Sequence, residues 1–88
     1  MIDQNVQSAN GTTDAKVIKI SGRVRVSFEK PTDATVEIQA KLPNDPDNMY
    51  RTIRTMSEDS EVYEGNGPVA LRAKVTAGSF PVRILIRS

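Results

Sequence analysis

Chemistry in this chain is left to carboxylates, hydroxyls and cations, because histidine and cysteine are both absent. A serine or threonine nucleophile would therefore need a lysine or a terminal amine as its base. No lysine stands beside such a hydroxyl in a recognisable context. For acid–base work the nearest candidates are Glu58, Asp59, Glu61 and Glu64, which are close in sequence. They fall in a polar turn and short strand, where solvation accounts for them without catalysis. The same two absences remove most transition-metal sites and every disulfide. The oxygen-rich run Asn44-Asp45-Pro46-Asp47-Asn48 offers calcium ligands, but it fails the EF-hand pattern. Counted from Asp45, Tyr50 stands where that loop needs glycine and Met56 where it needs glutamate. Turn chemistry explains the run better. The expectation is a protein that is not an enzyme and carries no cofactor.

Cations make the more serious candidate site. Arg23, Arg25, Arg72, Lys74, Arg83 and Arg87 all take the polar positions of alternating segments, so they can share one basic sheet face. Single-strand nucleic-acid binders interleave such a face with aromatic stacking platforms. Here Phe28 and Phe80 fall on the apolar side, and Tyr50 and Tyr63 lie outside the basic strands. The isoelectric point of about 8.1 is below the value above ~9 expected of a dedicated nucleic-acid domain. Two apolar residues interrupt the charged positions: Leu85 between Arg83 and Arg87, and Val17 between Lys16 and Lys19. Apolar residues in a charged face suit anchors for a partner protein. The expected contact residues are therefore Arg72, Lys74, Arg83, Leu85 and Arg87.

The elements that must carry these residues are strands. Val69, Leu71, Ala73 and Val75 alternate with Ala70, Arg72, Lys74 and Thr76. After Ala77-Gly78-Ser79 the alternation resumes through Phe80, Val82, Ile84 and Ile86, which predicts a closing β-hairpin. Pro81 cannot donate to a ladder, which predicts an edge or a bulge at the start of the last strand. Upstream, Ile18 and Ile20 precede a turn at Ser21-Gly22, and Val24, Val26 and Phe28 form the next strand. Pro31-Thr32-Asp33 marks a turn before Val36, Ile38, Ala40 and Leu42. Residues 43–48 read as a loop, Met49 to Met56 as a strand, and Ser60 to Glu64 as a short strand. Gly65-Asn66-Gly67-Pro68 is a loop signal before the hairpin. No window shows helical periodicity. About seven short strands with turn signals between them predict an all-β fold, a small antiparallel sandwich or barrel.

Residues 1–14 have only Ile2, Val6 and Ala9 as apolar side chains, a composition that predicts a flexible N-terminal arm ahead of a single domain over 15–88. With 88 residues and 5% aromatic content, the core must come from Val, Ile, Leu and Ala. A domain this small buries only about 60% of its unfolded surface, so a neighbouring chain is the natural extra support. No apolar run approaches the ~20 residues of a membrane span, and the first residues lack the pattern of a signal peptide. The net charge of +1 conceals segregation: residues 16–28 and 65–88 are basic, whereas 1–15 and 29–64 are acidic. Such segregation suits directional contacts between protein surfaces.

The closing segment also carries a resemblance. Gly67-Pro68-Val69-Ala70-Leu71-Arg72-Ala73-Lys74-Val75-Thr76-Ala77-Gly78, followed by Val82-Arg83-Ile84-Leu85-Ile86, resembles a pattern common in small virion proteins of tailed bacteriophages. In that group a short β-sandwich ends in a strand reading Arg-Ala-x-Val-Thr, a glycine-containing turn and an alternating last strand. Where the group commonly has an aromatic middle strand, this chain has Met49-Tyr50-Arg51. The resemblance implies a structural role in the virion, assembled in the host cytoplasm. It points to a capsid decoration (cement) protein, or a head–tail or tail component, that contacts copies of itself and the major capsid protein. The competing expectation, drawn from the basic face alone, is a small single-stranded nucleic-acid-binding barrel.

Overall fold

The computed structural model describes residues 1–88, the side chain of Asp47 excepted. Seven strands follow one another: β1 (Ile2–Val6), β2 (Gly11–Thr12), β3 (Lys16–Glu29), β4 (Thr35–Lys41), β5 (Arg51–Thr55), β6 (Ser60–Ala77) and β7 (Val82–Arg87). A single 3₁₀ turn, Asp47–Met49, lies between β4 and β5. All pairings are antiparallel, in the order β1-β7-β3-β6-β4-β5, with β2 paired to β6. The all-β class read from the alternation is what forms.

Two strands are too long to be straight. At ~3.3 Å per residue, the 18 residues of β6 would span roughly 60 Å, against a longest molecular extent of 36 Å. Both β6 and β3 therefore bend, and they bend where Gly22 of β3 faces Gly67 of β6. Gly22 has φ +101° and sits at the end of a register shift that begins after Ile18. Gly67 carries no side chain because a Cβ there would overlap the carbonyl oxygen of Ile20. Glycines in a strand mark such corners and close backbone approaches. Ser21-Gly22 and Gly65 to Pro68, expected as a turn and a loop, are instead bends within continuous strands.

The bend lets the sheet cover its own apolar face. Val26 and Phe28 of β3, Val36 and Ile38 of β4, Leu71 and Val75 of β6, and Val82, Ile84 and Ile86 of β7 join one core cluster. Each is at most 1% exposed, which an uncovered sheet face could not achieve. Full burial of a side chain of this size contributes roughly 1.5–3 kcal/mol. The period-two alternation thus reports faithfully which side chains face inward.

The expected closing hairpin does not form, because β6 has no edge left for β7. In the row of Val75, β6 pairs with Gly11 on one side and Val36 on the other. Residues 78–81 instead carry the chain across the core, and β7 pairs with β1 and β3. At its start β7 does have an open side, as Pro81 had indicated: Val82 to Ile84 pair with β1 alone, β3 joins only from Leu85 to Arg87, and Pro81 lies outside the ladder.

The flexible arm expected over residues 1–14 is likewise corrected. Ile2 to Val6 pair residue by residue with Ile86 to Val82, and Val6 is 4% exposed in the core. Composition misleads here because a strand between a paired neighbour and solvent needs only alternate apolar residues, and Ile2 and Val6 supply them. After Asn10, whose φ is +67°, Thr13 continues along β6. Its backbone N–H donates to the carbonyl of Ala73, and its buried hydroxyl accepts from the Ala73 N–H.

The backbone ladder stays open at β1 and β5, and side chains bridge both gaps. Gln4 Nε2 donates to Asp14 Oδ2 at 2.8 Å, while the Asp14 backbone N–H donates to Gln4 Oε1 at 2.6 Å. On the other side Arg54 of β5 donates to the carbonyl of Val62 in β6 at 3.2 Å and pairs with Glu61.

Candidate functional site

The five expected contact residues do not form one stripe. Arg83, Leu85 and Arg87 lie on β7, while Arg72 and Lys74 lie on the part of β6 held between β2 or β3 and β4. On β7 the charge is neutralised locally. Arg83 donates through Nε and Nη2 to both carboxylate oxygens of Asp3, at 2.8 and 2.7 Å. These hydrogen bonds hold the Asp3 carboxyl below the ordinary aspartate value and raise the Arg83 guanidinium above its own. Arg87 pairs with Glu29 at 2.7 Å, and Leu85, flanked by Asp3 and Glu29 in the register, is half-buried. A shallow concavity of about 210 Å³ beside it is lined by Glu29, Lys30, Pro31, Arg83 and Leu85. Arg23 of β3 also has a carboxylate partner, Glu64 at 3.2 Å. Exposed pairs of this kind contribute about 0–1 kcal/mol each, but they remove the free positive track that a phosphate backbone requires.

Of the acidic residues that could serve acid–base work, Glu61 and Asp59 brace turns and Glu64 pairs with Arg23. Glu61 Oε2 accepts from the backbone N–H groups of Ser57 and Glu58 and from the Ser57 hydroxyl. The Glu58 N–H is the largest cause of a lowered Glu61 carboxyl, followed by Ser57 and the charge of Arg54. Asp59 accepts from the Thr32 hydroxyl at 2.7 Å and from Lys30 at 3.2 Å, and these bonds lower its carboxyl too. A general acid working near neutrality needs the opposite shift. Among the described residues no group of three or more acids could hold a metal ion. The oxygen-rich loop closes through backbone bonds, Asp45 N–H to Leu42 and Met49 N–H to Pro46. The side chain of Asp47, one of the oxygen donors weighed for calcium, lies outside the description.

Arg72 differs from the arginines of β7. Its Nε donates to Gln39 Oε1 at 2.8 Å, and its guanidinium lies 3.8 Å from the centroid of the Tyr50 ring. Gln39 is only 7% exposed although it points away from the core, and its Nε2 donates to the Thr52 hydroxyl at 3.3 Å. Thr52 in turn donates to Glu37 at 2.9 Å. Lys41 also approaches the Tyr50 ring, at 5.5 Å, while donating to the carbonyl of Asp45. Cation–ring contacts of this sort contribute about 0.5–2 kcal/mol depending on exposure. Lys74 follows on the same face, with Glu37 opposite it in β4. Sequence reasoning kept Tyr50 apart from the cations because it lies outside the basic strands. Only the β4–β6 register, which sets Gln39 against Arg72, brings the group together.

A second feature escaped the sequence altogether. Leu42, Met49 and Ile53 are 61%, 42% and 46% exposed, and all belong to the hairpin joining β4 to β5. Beside Leu42 and Met49 a concavity of about 330 Å³ opens toward the bend of β6, lined also by Tyr63, Pro68 and Val69, with Lys41 and Arg51 among its polar residues. Large apolar side chains gathered on one hairpin next to a recess mark a contact surface more than solvated loops do. No family model matches the chain, and neither a curated protein nor a solved structure matches it.

Proposed function

We propose that this protein is a non-enzymatic structural component of a bacteriophage particle, acting as a decoration (cement) protein through contacts with copies of itself and with the capsid. The observation that carries the protein-binding part is the exposed apolar pair Leu42 and Met49 lining a recess near the bend of β6, with Ile53 exposed on the same hairpin. The virion assignment rests on the sequence pattern from Gly65 to Arg87. Glu61 and Asp59 brace turns, Glu64 pairs with Arg23, and the β7 arginines are held by Asp3 and Glu29. That distribution favours a protein surface over a nucleic-acid track. In this reading the bent sheet is a small sandwich whose two layers give the hairpin a rigid base.

A tagged copy should band with intact particles when a lysate of its source is run on a caesium chloride gradient. Recovery only from the soluble fraction, with particles complete without it, would refute the assignment. Light scattering of the isolated protein tests self-association separately. A mass equal to one chain at high concentration would remove the oligomeric contact.

A further inference from the structure

We infer that the outer face of β6 around Arg72 is a receptor for a carboxylate side chain presented by a partner protein, a reading that rests on the protein-binding function proposed above. Five arginines have contacts fixed by the fold: Arg23, Arg54, Arg72, Arg83 and Arg87. Four of them meet a carboxylate, from Glu64, Glu61, Asp3 and Glu29 respectively. Arg72 is held by neutral groups instead, an amide oxygen at its Nε and a phenol ring against its plane. Guanidinium geometry then decides what remains. With Nε used and one face stacked, the two terminal nitrogens stay in plane and form the fork that matches a carboxylate. Among the described residues neither of these nitrogens has an acceptor.

The posture is built rather than incidental. Gln39 is more than nine-tenths buried, and Thr52 and Glu37 fix its amide from behind. Arg72 therefore loses little freedom on binding. The surrounding charge is Lys74 and Lys41 against Glu37, so the face favours an anion. Asp3, Glu29, Asp59, Glu61 and Glu64 are engaged within their own molecule, so a second copy of this chain would have to offer turn carboxylates such as Asp33 and Glu58. A phosphate backbone would need successive cations, and those on β7 and Arg23 are already paired. An aspartate or glutamate of another protein is the occupant that fits.

The test is a titration of the isotope-labelled protein with hexaglutamate peptide, following by nuclear magnetic resonance the side-chain amide signal of Gln39, which contacts Arg72 and is kept in every variant, together with the Arg72 Nε–H of the parent. Hexaglutamine and hexathymidylate are the controls. A saturable shift with hexaglutamate alone is expected, and Arg72→Lys should weaken it at least about tenfold, because a charge-assisted fork is lost while the charge stays. Tyr50→Leu should weaken it as well, with the fold checked by circular dichroism. The receptor is overturned by no saturable shift at millimolar peptide, by an equal response to hexaglutamine, or by unchanged affinity in Arg72→Lys. Tighter binding of hexathymidylate, or self-association abolished by Arg72→Gln, also overturns it, assigning the site to nucleic acid or to a second copy. A negative result here with the protein still banding on particles removes the receptor alone. Loss of banding with binding intact removes the virion reading alone.

Discussion

Replacing Gly67 by alanine tests the bend on which the whole architecture depends. A Cβ at this position would overlap the carbonyl oxygen of Ile20 and approach Val24 Cγ1 at 3.4 Å. The oxygen cannot move aside easily, since pairing holds β3 to β6 on both sides of the corner, at Ile18–Val69 and at Gly22–Gly67. Overpacking costs about 1–3 kcal/mol, and contact with backbone rather than a mobile side chain puts the expected loss near 2.5 kcal/mol. A domain of this size has roughly 4–13 kcal/mol in all. At about 4–8 °C per kcal/mol, the melting temperature should fall by roughly 10–20 °C. Two neighbouring glycines calibrate the number. Gly65→Ala meets the hydroxyl end of Tyr63, which can swing away, so its cost should stay below about 1 kcal/mol. Gly22→Ala meets nothing within 4 Å but forces a side chain onto φ +101°, at about 1–2 kcal/mol. Urea unfolding followed by far-ultraviolet circular dichroism gives all three values. Gly67→Ala within about 0.5 kcal/mol of the parent, or no worse than Gly65→Ala, would mean that the sheet does not turn there.

Three further outcomes are expected. Val6→Ala removes two carbons from a side chain that is 4% exposed, and should cost about 2 kcal/mol in urea unfolding; an unchanged midpoint would restore the flexible arm. Asp3, Asp59 and Glu61 all have lowered carboxyls in the folded state, so the unfolded chain binds more protons across the ordinary carboxylate range. Their stabilisation is therefore complete above that range and lost as pH falls through the lowered folded values. Thermal melts should show a falling midpoint on the acid side, less steep in Asp59→Asn; a flat profile in the parent down to about pH 2 would contradict the described bonds. Ile53→Glu should leave stability within about 0.5 kcal/mol, because the residue is exposed on an edge strand, yet reduce banding with particles; full retention would exclude that hairpin from the contact.

Strand number and strand identity were legible to different degrees. Seven strands were expected and seven form, but two expected pairs fuse into β3 and β6, while the N-terminal segment adds β1 and β2. Gly22 and Gly67 announce a change of direction without saying whether the chain turns back or merely bends. That choice is made by the pairing of the two glycines with each other, a contact 45 residues apart in sequence. The inward residues were readable because period-two alternation survives a bend. Partnership was not readable: nothing local shows that Val75 already has neighbours on both sides, or that Val82 to Ile86 will find Ile2 to Val6. The candidate site divides the same way. Outward cations could be named from parity, but their carboxylate partners lie on other strands. The position of Arg72 against Gln39 and Tyr50 depends on register alone.

The pairing of β1 with β7 also governs when this protein can become itself. Ile2 is made 84 residues before its partner Ile86. Until Val82 to Arg87 clear the ribosome, β1 has no ladder to join, and the apolar faces of β3, β4 and β6 lack one wall of their enclosure. Such distant closure is slow compared with local pairing, so the nascent chain passes through an interval with its core open. The same neighbourhood of first and last strands permits a rearranged order of synthesis. A permuted chain joined from Ser88 to Met1 and opened in the 43–48 loop would make β7 and β1 consecutive, turning the last step of folding into a local one.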